Sequence, residues 1–280
     1  MTSRETVLGT NAIAYLFLLL TVFALGLPFF WMFVTSLKPP TEINVYPPAW
    51  LPTEIRWSNY TEAWNAAPFG RFYLNSILVS GLATIAQIAF AMLMAYAFVF
   101  TQFPAKTALL LLVLSTMMIP DEMKLVPNFI LLSRLGWIDT YAGLIVPTIA
   151  HAFPVFVLYQ QFRQLPHSLI EAAQADGAGH LRILWQIAAP MSRPVLTAVA
   201  LVSLLGQWNA YLWPLIVTNS GSMRTLPLGI AYLRKQAEEG SVQWNLLMAA
   251  AVFVVLPIVI LYTFAQKQFV EGITRGALKG

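Results

Sequence analysis

Cysteine is absent from the 280 residues, and charged residues make up only 10% of them. Without a thiol the chain forms no disulfide, offers no thiolate to a metal ion and has no cysteine nucleophile. Ordinary soluble domains carry roughly 25% charged residues, which keep their surface hydrated. Apolar residues reach 58% in this chain. Lipid must therefore cover much of the surface, and the composition predicts an all-α integral membrane protein.

Other signals are missing as well. The sixteen Lys and Arg residues are scattered, without the cluster that neutralises nucleic-acid phosphates. The phosphate-binding pattern GxxxxGK[ST] does not occur, so the chain is not expected to bind ATP through such a loop. No cofactor is predicted. His151 stands alone inside an apolar stretch and is interpreted as a packed polar residue. The sequence predicts neither a metal site nor a catalytic residue.

About six stretches are suited to crossing a bilayer core as helices, which takes about 20 residues. They are residues 12–35, 73–103, 107–125, 141–162, 194–217 and 243–265. Together they predict a single transmembrane domain over residues 1–280. Polar residues inside such spans are costly in lipid, so they tend to face cavities or to bond between helices.

The third of these spans has an ambiguous end. Only residues 107–120 are free of charge, and Asp121, Glu122 and Lys124 follow at once. Either the helix ends at the membrane interface near Pro120, or its polar end lines a cavity enclosed by protein. Both interpretations satisfy the need to keep these charges away from lipid.

Six spans place both termini on the same side of the membrane. Lys and Arg residues do not identify that side, because eight lie in each set of loops. The first long loop, residues 38–71, contains Trp50, Trp57, Tyr60 and Trp64. Amphipathic aromatic residues suit a membrane–water interface, and contact with an external partner is the alternative.

Residues 165–193 contain no apolar run long enough to cross the membrane, and their pattern predicts two short helices joined by a turn. Ser168 and Glu171 have capping-box spacing, although Pro166 can also begin the first helix. Asp176-Gly177 is a turn pair, since glycine adopts positive φ without steric cost.

The second short helix has its apolar positions at i, i+3, i+4 and i+7, namely Leu181, Leu184, Trp185 and Ala188. It is expected to stop before Pro190, and Pro194 is expected to start the next span. These residues leave two interpretations open. The segment is either an element that docks on a soluble partner, with Glu171 as its orienting charge, or an amphipathic surface loop.

Three motifs stand at fixed spacing in this segment: Glu171-Ala172-Ala173, Asp176-Gly177-Ala178, and Ile187 followed by Pro190. They resemble the EAA loop of the permease subunits of bacterial ATP-binding-cassette importers, except that Ala189 stands where that family usually has Leu. Residues 35–39, 75–76, 208–214 and 272–280 resemble the carbohydrate-uptake branch, which includes maltose-type and glycerol-phosphate-type importers.

The resemblance implies a transport subunit that is not itself an enzyme. Its expected partners are a second permease in a heterodimer, two ATPase subunits that hold ATP and Mg, and an extracytoplasmic solute-binding protein. The implied location is a bacterial or archaeal cytoplasmic membrane, with the EAA loop and both termini in the cytoplasm. The expected solute is a sugar or oligosaccharide, with glycerol 3-phosphate or a related phosphodiester as the alternative.

The resemblance also assigns expected roles to individual residues. The ATPase-coupling set is Ser168, Glu171, Ala172, Ala173, Asp176, Gly177, Ala178, Gly179 and Trp185. In the tail, residues 267–280, an ATPase contact is expected at Arg275, Lys279 and Gly280, with a frayed terminus as the alternative. The candidate solute path consists of polar residues within spans, Asn75, Gln87, Asn209 and Tyr211.

Two rival classes fit the sequence less well. A self-contained secondary transporter needs an ionisable coupling residue in the middle of a span, and the five clear spans have no Asp, Glu, Lys or Arg. A membrane-embedded enzyme needs a constellation such as Ser/His, paired Asp or HExxH, and His151 has no such companion in the sequence.

Overall fold

The computed structural model describes residues 2–238 and 243–277, in which every regular element is a helix. The predicted all-α class is therefore confirmed. The α-helices are α1 (Thr2–Ser36), α2 (Ser58–Ala66), α3 (Phe69–Phe100), α4 (Lys106–Ser115), α5 (Asp121–Arg134), α6 (Tyr141–Ile149), α7 (Ala152–Phe162), α8 (His167–Ala175), α9 (His180–Ile183), α10 (Ala189–Met191), α11 (Arg193–Trp208), α12 (Leu212–Val217), α13 (Leu226–Glu238) and α14 (Trp244–Ala277). Short 3₁₀ turns at Pro40–Glu42, Thr116–Met118 and Gly221–Met223 and a π-helical turn at Leu184–Ala188 complete the set.

Three helical stretches are long and apolar enough to cross a membrane unbroken, Ala14–Ser36, Phe69–Phe100 and Trp244–Phe264. Counting two bent helix pairs as spans raises this number to five, and Lys106–Met118 is a shorter apolar helix. The count of six spans stays a prediction. Three of the predicted spans, 107–125, 141–162 and 194–217, are interrupted rather than continuous.

The contacts divide the chain into two units, and the prediction of a single domain remains untested. The first unit comprises residues 1–68 and 230–257. Its polar centre is the buried Asn59, which donates to the carbonyls of Ser36 and Lys38, both at 2.9 Å, and accepts from Asn245 at 3.0 Å. These bonds tie the end of α1 to α2 and to the first turn of α14.

The loop after α1 belongs to this first unit, and it contacts α1 through Lys38 while two of its tryptophans are exposed. The Lys38 ammonium lies 4.3 Å from the centre of the Trp31 ring and donates to the Ala49 carbonyl at 2.5 Å. Burial lowers the pKa of Lys38, against the opposing effect of Glu42. Trp50 and Trp57 are exposed, as the interfacial interpretation and the partner interpretation both require.

The second unit comprises residues 69–229 and 258–280, and α3 is its central helix. α3 packs against α6, α7 and α11. Of the membrane-spanning window of α3, 39% is buried within the chain, compared with 6% for α1. The residues considered below as functional all belong to this second unit.

Candidate functional site

The turn predicted at Asp176-Gly177 ends α8 in a Schellman motif. Gly177 has φ +79°, and its amide donates to the Gln174 carbonyl at 3.0 Å. The Ala178 amide donates to the Ala173 carbonyl at 2.9 Å. These two bonds satisfy carbonyls that the end of a helix otherwise leaves free. The predicted turn is confirmed, and the motif fixes the direction in which the chain leaves α8.

The start of α8 differs from the capping-box prediction. Pro166 occupies the N-cap, α8 begins at His167, and no side chain caps its first turn. Ser168 therefore lies inside the helix instead of before it, so the Ser168–Glu171 capping box is wrong. The alternative start at the proline is nearer to the structure, because a proline with φ −61° directs the chain into the first turn.

The second short helix is wound differently from the regular α-helix that the sequence predicted. Leu184–Ala188 forms a π-helical turn, and the helical course then continues through Pro190 to Met191. The expected stop before Pro190 is wrong. The wider π-turn immediately before the proline relieves the conflict between a proline ring and the preceding α-helical turn.

The buried side of the second short helix also differs from the predicted apolar face. Of that face, Leu184 and Ala188 are buried, but Leu181 and Trp185 are 64% and 54% exposed. Ile183 lies in the interior instead, where it is fully buried. The predicted face is therefore wrong for half its members, because the helix packs on the side that carries Ile183, Leu184 and Ala188.

A single apolar cluster anchors this element, residues 165–193, to the helices beneath it. Ile170 and Ile183 are buried in this cluster together with residues of α3 and α7, and Val195 of α11 packs against it. Polar and aromatic contacts add to the attachment. The Tyr96 hydroxyl of α3 lies 3.2 Å from His180 Nδ1, and the Phe100 ring contacts the His167 ring at 5.6 Å. The 165–193 element is thus seated on the C-terminal end of α3.

Most residues of the predicted coupling set face outward from this anchored base. Ser168, Glu171, Ala172, Asp176, Gly177, Gly179 and Trp185 are exposed, while Ala173 and Ala178 are half-buried. Leu169 is 46% exposed and, together with Leu181 and Trp185, supplies large apolar side chains around the turn. The surface therefore combines two carboxylates, at Glu171 and Asp176, with uncovered apolar area.

The three interrupted spans meet at one cavity of about 1020 Å³. The first interruption is at Ile119–Pro120, the second at Ala150–His151 and the third at residues 209–211, and residues from each line the cavity. Non-helical backbone is tolerated at membrane depth where it is buried in protein or lines a water-filled space, because lipid offers it no hydrogen bond. The cavity accounts for the interruptions in these terms.

Three of the four predicted solute-path residues line this cavity: Gln87 from α3, and Asn209 and Tyr211 from the interruption between α11 and α12. Gln87 is 3% exposed and donates through Nε2 to the Thr148 carbonyl at 3.2 Å. Asn209 donates through Nδ2 to the Leu205 carbonyl at 2.9 Å, and Tyr211 is exposed. The structure therefore brings together residues that the sequence separates by more than 120 positions.

The fourth residue, Asn75, lies away from the cavity and has a structural role. It is fully buried, donates to the carbonyls of Ser222 and Arg224, both at 2.8 Å, and accepts from the Tyr141 hydroxyl at 2.7 Å. The next residue, Ser76, accepts from the Leu226 amide at 2.7 Å. Asn75 is not among the residues that line the cavity. It fastens the segment before α13 to the N-terminal part of α3.

Asp139 fastens the same segment from the other side. Its Oδ1 accepts from the amides of Asn219 and Ser220 at 3.0 and 3.1 Å. Partial burial by itself raises the pKa of the Asp139 carboxyl, but the hydrogen bonds from Ser220 and Asn219 outweigh it and lower the pKa. Neither the sequence pattern nor the spacing indicated this contact.

Charged groups follow the break in the third predicted span and line the cavity. Asp121, Glu122 and Lys124 begin α5 directly after Ile119–Pro120, so both interpretations of where this span ends stay open. Lys124 pairs with Asp121 at 2.5 Å. His151 is also in the lining, 44% exposed, with Nε2 4.0 Å from Asp121 Oδ2, so its interpretation as a packed residue is wrong. The interruption between α6 and α7 exposes it.

The tail carries the remaining predicted residues. α14 extends to Ala277, well beyond the predicted end of the last span at residue 265. Arg275 lies in this helix, and the placement of its side chain is outside the described part, as are Lys279 and Gly280 altogether. Their contact with an ATPase stays a prediction.

A helical membrane chain that has a cavity at its broken spans and an exposed helix-turn-helix packed on helices that line this cavity fits the class of transport subunits. The chain belongs to the family described as binding-protein-dependent transport system inner membrane component, whose pattern matches residues 9–275. It is a permease subunit of an ATP-driven importer of the inner membrane, and ATP hydrolysis is the task of separate subunits.

Relatives and solved structures agree with this assignment. The sn-glycerol-3-phosphate transport system permease protein UgpE of Yersinia enterocolitica is 32% identical over 271 residues, covering 95% of this chain and 96% of the relative. UgpE of Agrobacterium fabrum is 32% identical over 270 residues, covering 94% and 95%. In fold, the chain is similar to a chain in the crystal structure of a bacterial ABC transporter involved in the import of the acidic polysaccharide alginate. The TM-score is 0.83 at 21% identity, with coverage of 96% and 99%.

Proposed function

We propose that the cavity forms this subunit's half of a solute path and that the 165–193 element transmits force to it from a partner ATPase. The observation that carries the proposal is a shared set of helices. α3, α7 and α11 contribute both to the apolar cluster beneath the element and to the lining of the cavity. Close-packed interiors transmit displacement, so a shift of the element moves the cavity walls.

The surface of the element supports docking on a soluble partner. Leu181 and Trp185 expose apolar area, and Glu171 and Asp176 expose carboxylates on the same element. A partner can bury the apolar side chains in its interface, while the two charges orient it. Gly177 and Gly179 keep the turn free of side chains, so another backbone can approach closely.

In the proposed assembly, this chain pairs with a second permease, two ATPase subunits hold ATP and Mg, and an extracytoplasmic binding protein delivers the solute. The 165–193 element and both termini face the cytoplasm, and the membrane is bacterial or archaeal. Arg275, Lys279 and Gly280 of the tail, residues 267–280, add a further contact with the ATPases. The family supports a binding-protein partner, since its description names binding-protein-dependent transport.

For the solute we propose a sugar or oligosaccharide. The cavity offers amides at Gln87, Gln207 and Asn209 and aromatic rings at Tyr211 and Trp213. Amide groups exchange hydrogen bonds with hydroxyls, and aromatic rings pack on their apolar faces. Glycerol 3-phosphate is the second candidate, because the relatives that are 32% identical are named for it.

The coupling role is tested by reversing one charge. In the reconstituted importer, Glu171→Lys is expected to lower binding-protein-stimulated uptake at least roughly ten-fold, since like charges facing each other across an interface cost several kcal/mol. Gln164→Lys also introduces a lysine, at an exposed position just before the element, and is the control. Normal uptake by Glu171→Lys, at equal membrane insertion, would refute the coupling role.

The solute is tested by uptake into the same vesicles. Labelled maltose and labelled glycerol 3-phosphate are offered together with the cognate binding protein, with and without ATP. ATP-dependent accumulation of the sugar alone supports the first candidate, and accumulation of glycerol 3-phosphate alone supports the second. Movement of either solute by this chain without its ATPases would contradict the proposed assembly.

A further inference from the structure

The cavity contains more carboxylates than basic groups. Its lining includes Asp121, Glu122 and Lys124. Lys124 is already paired with Asp121 at 2.5 Å, so these two charges largely cancel. Within the described part of the chain, the Glu122 carboxylate forms neither an ion pair nor a hydrogen bond. Glu122 therefore leaves a net negative charge in the cavity wall.

His151 also lies in the wall, 4.0 Å from Asp121. A neutral imidazole leaves the excess negative charge unchanged, while a protonated one offsets it.

Gln87 adds a buried acceptor to the same wall. The residue is 3% exposed, and its Oε1 has no hydrogen-bond partner among the described residues. Because that oxygen is itself covered, a donor in the cavity reaches it only if the Gln87 side chain turns. Glu122 is exposed and presents its carboxylate directly to whatever occupies the cavity.

We propose that Glu122 is a specificity-determining residue, which makes this half of the path select uncharged, hydroxyl-rich solutes and disfavour anions. Hydroxyl groups donate to the carboxylate of Glu122, while a phosphate or carboxylate on the solute is repelled. The inference rests on the proposed function of the cavity as a solute path. It also predicts that this chain disfavours glycerol 3-phosphate, the anion for which the UgpE relatives are named.

The charge of the cavity is measurable without knowing the solute, because the chain has no cysteine. Ala210 lines the cavity beside the interruption between α11 and α12, and Ala210→Cys places one thiol there. In the assembled importer at pH 8, where free imidazole is uncharged, this thiol is treated with two methanethiosulfonate reagents. One carries a trimethylammonium group and the other a sulfonate. Each rate is divided by the rate of the same reagent with 2-mercaptoethanol.

The expected result is a normalised preference for the cationic reagent of roughly five-fold or more, as one uncompensated charge in the wall of a partly hydrated site produces. Glu122→Gln is expected to remove most of that preference, and Glu122→Asp is expected to keep it. Glu54→Gln, which neutralises an exposed carboxylate that does not line the cavity, is the control and leaves the ratio unchanged.

Two outcomes overturn the inference in distinguishable ways. If both reagents modify Ala210→Cys but the ratio is near one, or does not respond to Glu122→Gln, the cavity is a path without this selectivity. If neither reagent reaches the thiol in any nucleotide state, the cavity is not a solute path, and the proposed function fails together with the inference.

Discussion

The sharpest test of force transmission is at Gly177, where conformation and surface chemistry can be separated. Gly177 has φ +79°, and a Cβ added there meets nothing within 4 Å. An alanine therefore destabilises the turn only by the free energy of holding a residue with a Cβ in the left-handed conformation, about 1–2 kcal/mol. A domain is stable by about 5–15 kcal/mol, so the chain still folds, but the turn opens roughly 5–30 times more often.

Gly179 supplies the matched control, two residues further along the same exposed turn. A Cβ added at Gly179 likewise meets nothing within 4 Å, but its φ of −70° suits any residue. Gly179→Ala therefore adds the same methyl group without backbone strain, and it stiffens the unfolded chain slightly. Any difference between the two alanine variants reports the conformation of Gly177 alone.

The assay is binding-protein-stimulated uptake and ATP hydrolysis by the reconstituted importer. Gly177→Ala is expected to lower uptake per ATP hydrolysed several-fold, and Gly177→Val further because its branched side chain is harder to accommodate at positive φ. Gly179→Ala is expected to couple normally. Wild-type coupling in both Gly177 variants would refute the reasoning, and equal losses at the two glycines would assign the effect to the added methyl.

Three further predictions concern the second unit. Asn75→Leu removes three hydrogen bonds from a fully buried site and is expected to cost about 2–4 kcal/mol in thermal unfolding of the detergent-solubilised protein. Tyr141→Phe, which removes only one of them, is expected to cost about 1 kcal/mol. Because the pKa of Asp139 is lowered below 3.8 in the folded chain, its stabilising effect is present above that pH and lost as the pH falls through the folded pKa. Asp139→Asn is therefore expected to flatten the acid limb of the stability profile, and an unchanged acid limb would contradict this assignment. Gly143→Ala places a Cβ 2.2 Å from the Trp137 carbonyl oxygen and is expected to reduce folded yield strongly, whereas Gly81→Ala meets open space and is expected to be neutral.

The sequence was informative wherever local chemistry decides the structure. The scarcity of charge identified lipid as the solvent and helices as the elements, because lipid cannot satisfy an unpaired backbone. Asp176-Gly177 predicted the turn correctly, since a single residue determines whether positive φ is accessible there. Gln87, Asn209 and Tyr211 were found by their polarity alone, which is conspicuous within apolar spans.

Tertiary contacts decided the points that composition and spacing left open or answered wrongly. Asn75 satisfies the same polarity criterion as Gln87, yet its partners lie near residues 222–224 and not at the cavity. His151 is exposed because a helix breaks beside it, and Leu181 and Trp185 are exposed because the second short helix packs on the side that carries Ile183 and Leu184. Each of these outcomes depends on residues far apart in the chain or on the local winding of a helix, which residue identity does not specify.

Sequence alone therefore determined the solvent, the helical class, the turn of the 165–193 element and the residues too polar to face lipid. Only the tertiary structure decided that three interrupted helices meet at one cavity, that Glu122 stands in its wall without a partner, and that one apolar cluster connects this cavity to the element. The physical reason is the distance along the chain over which each effect acts. Propensity and polarity act on a residue and its neighbours, whereas burial and pairing depend on segments that meet only after the chain has folded.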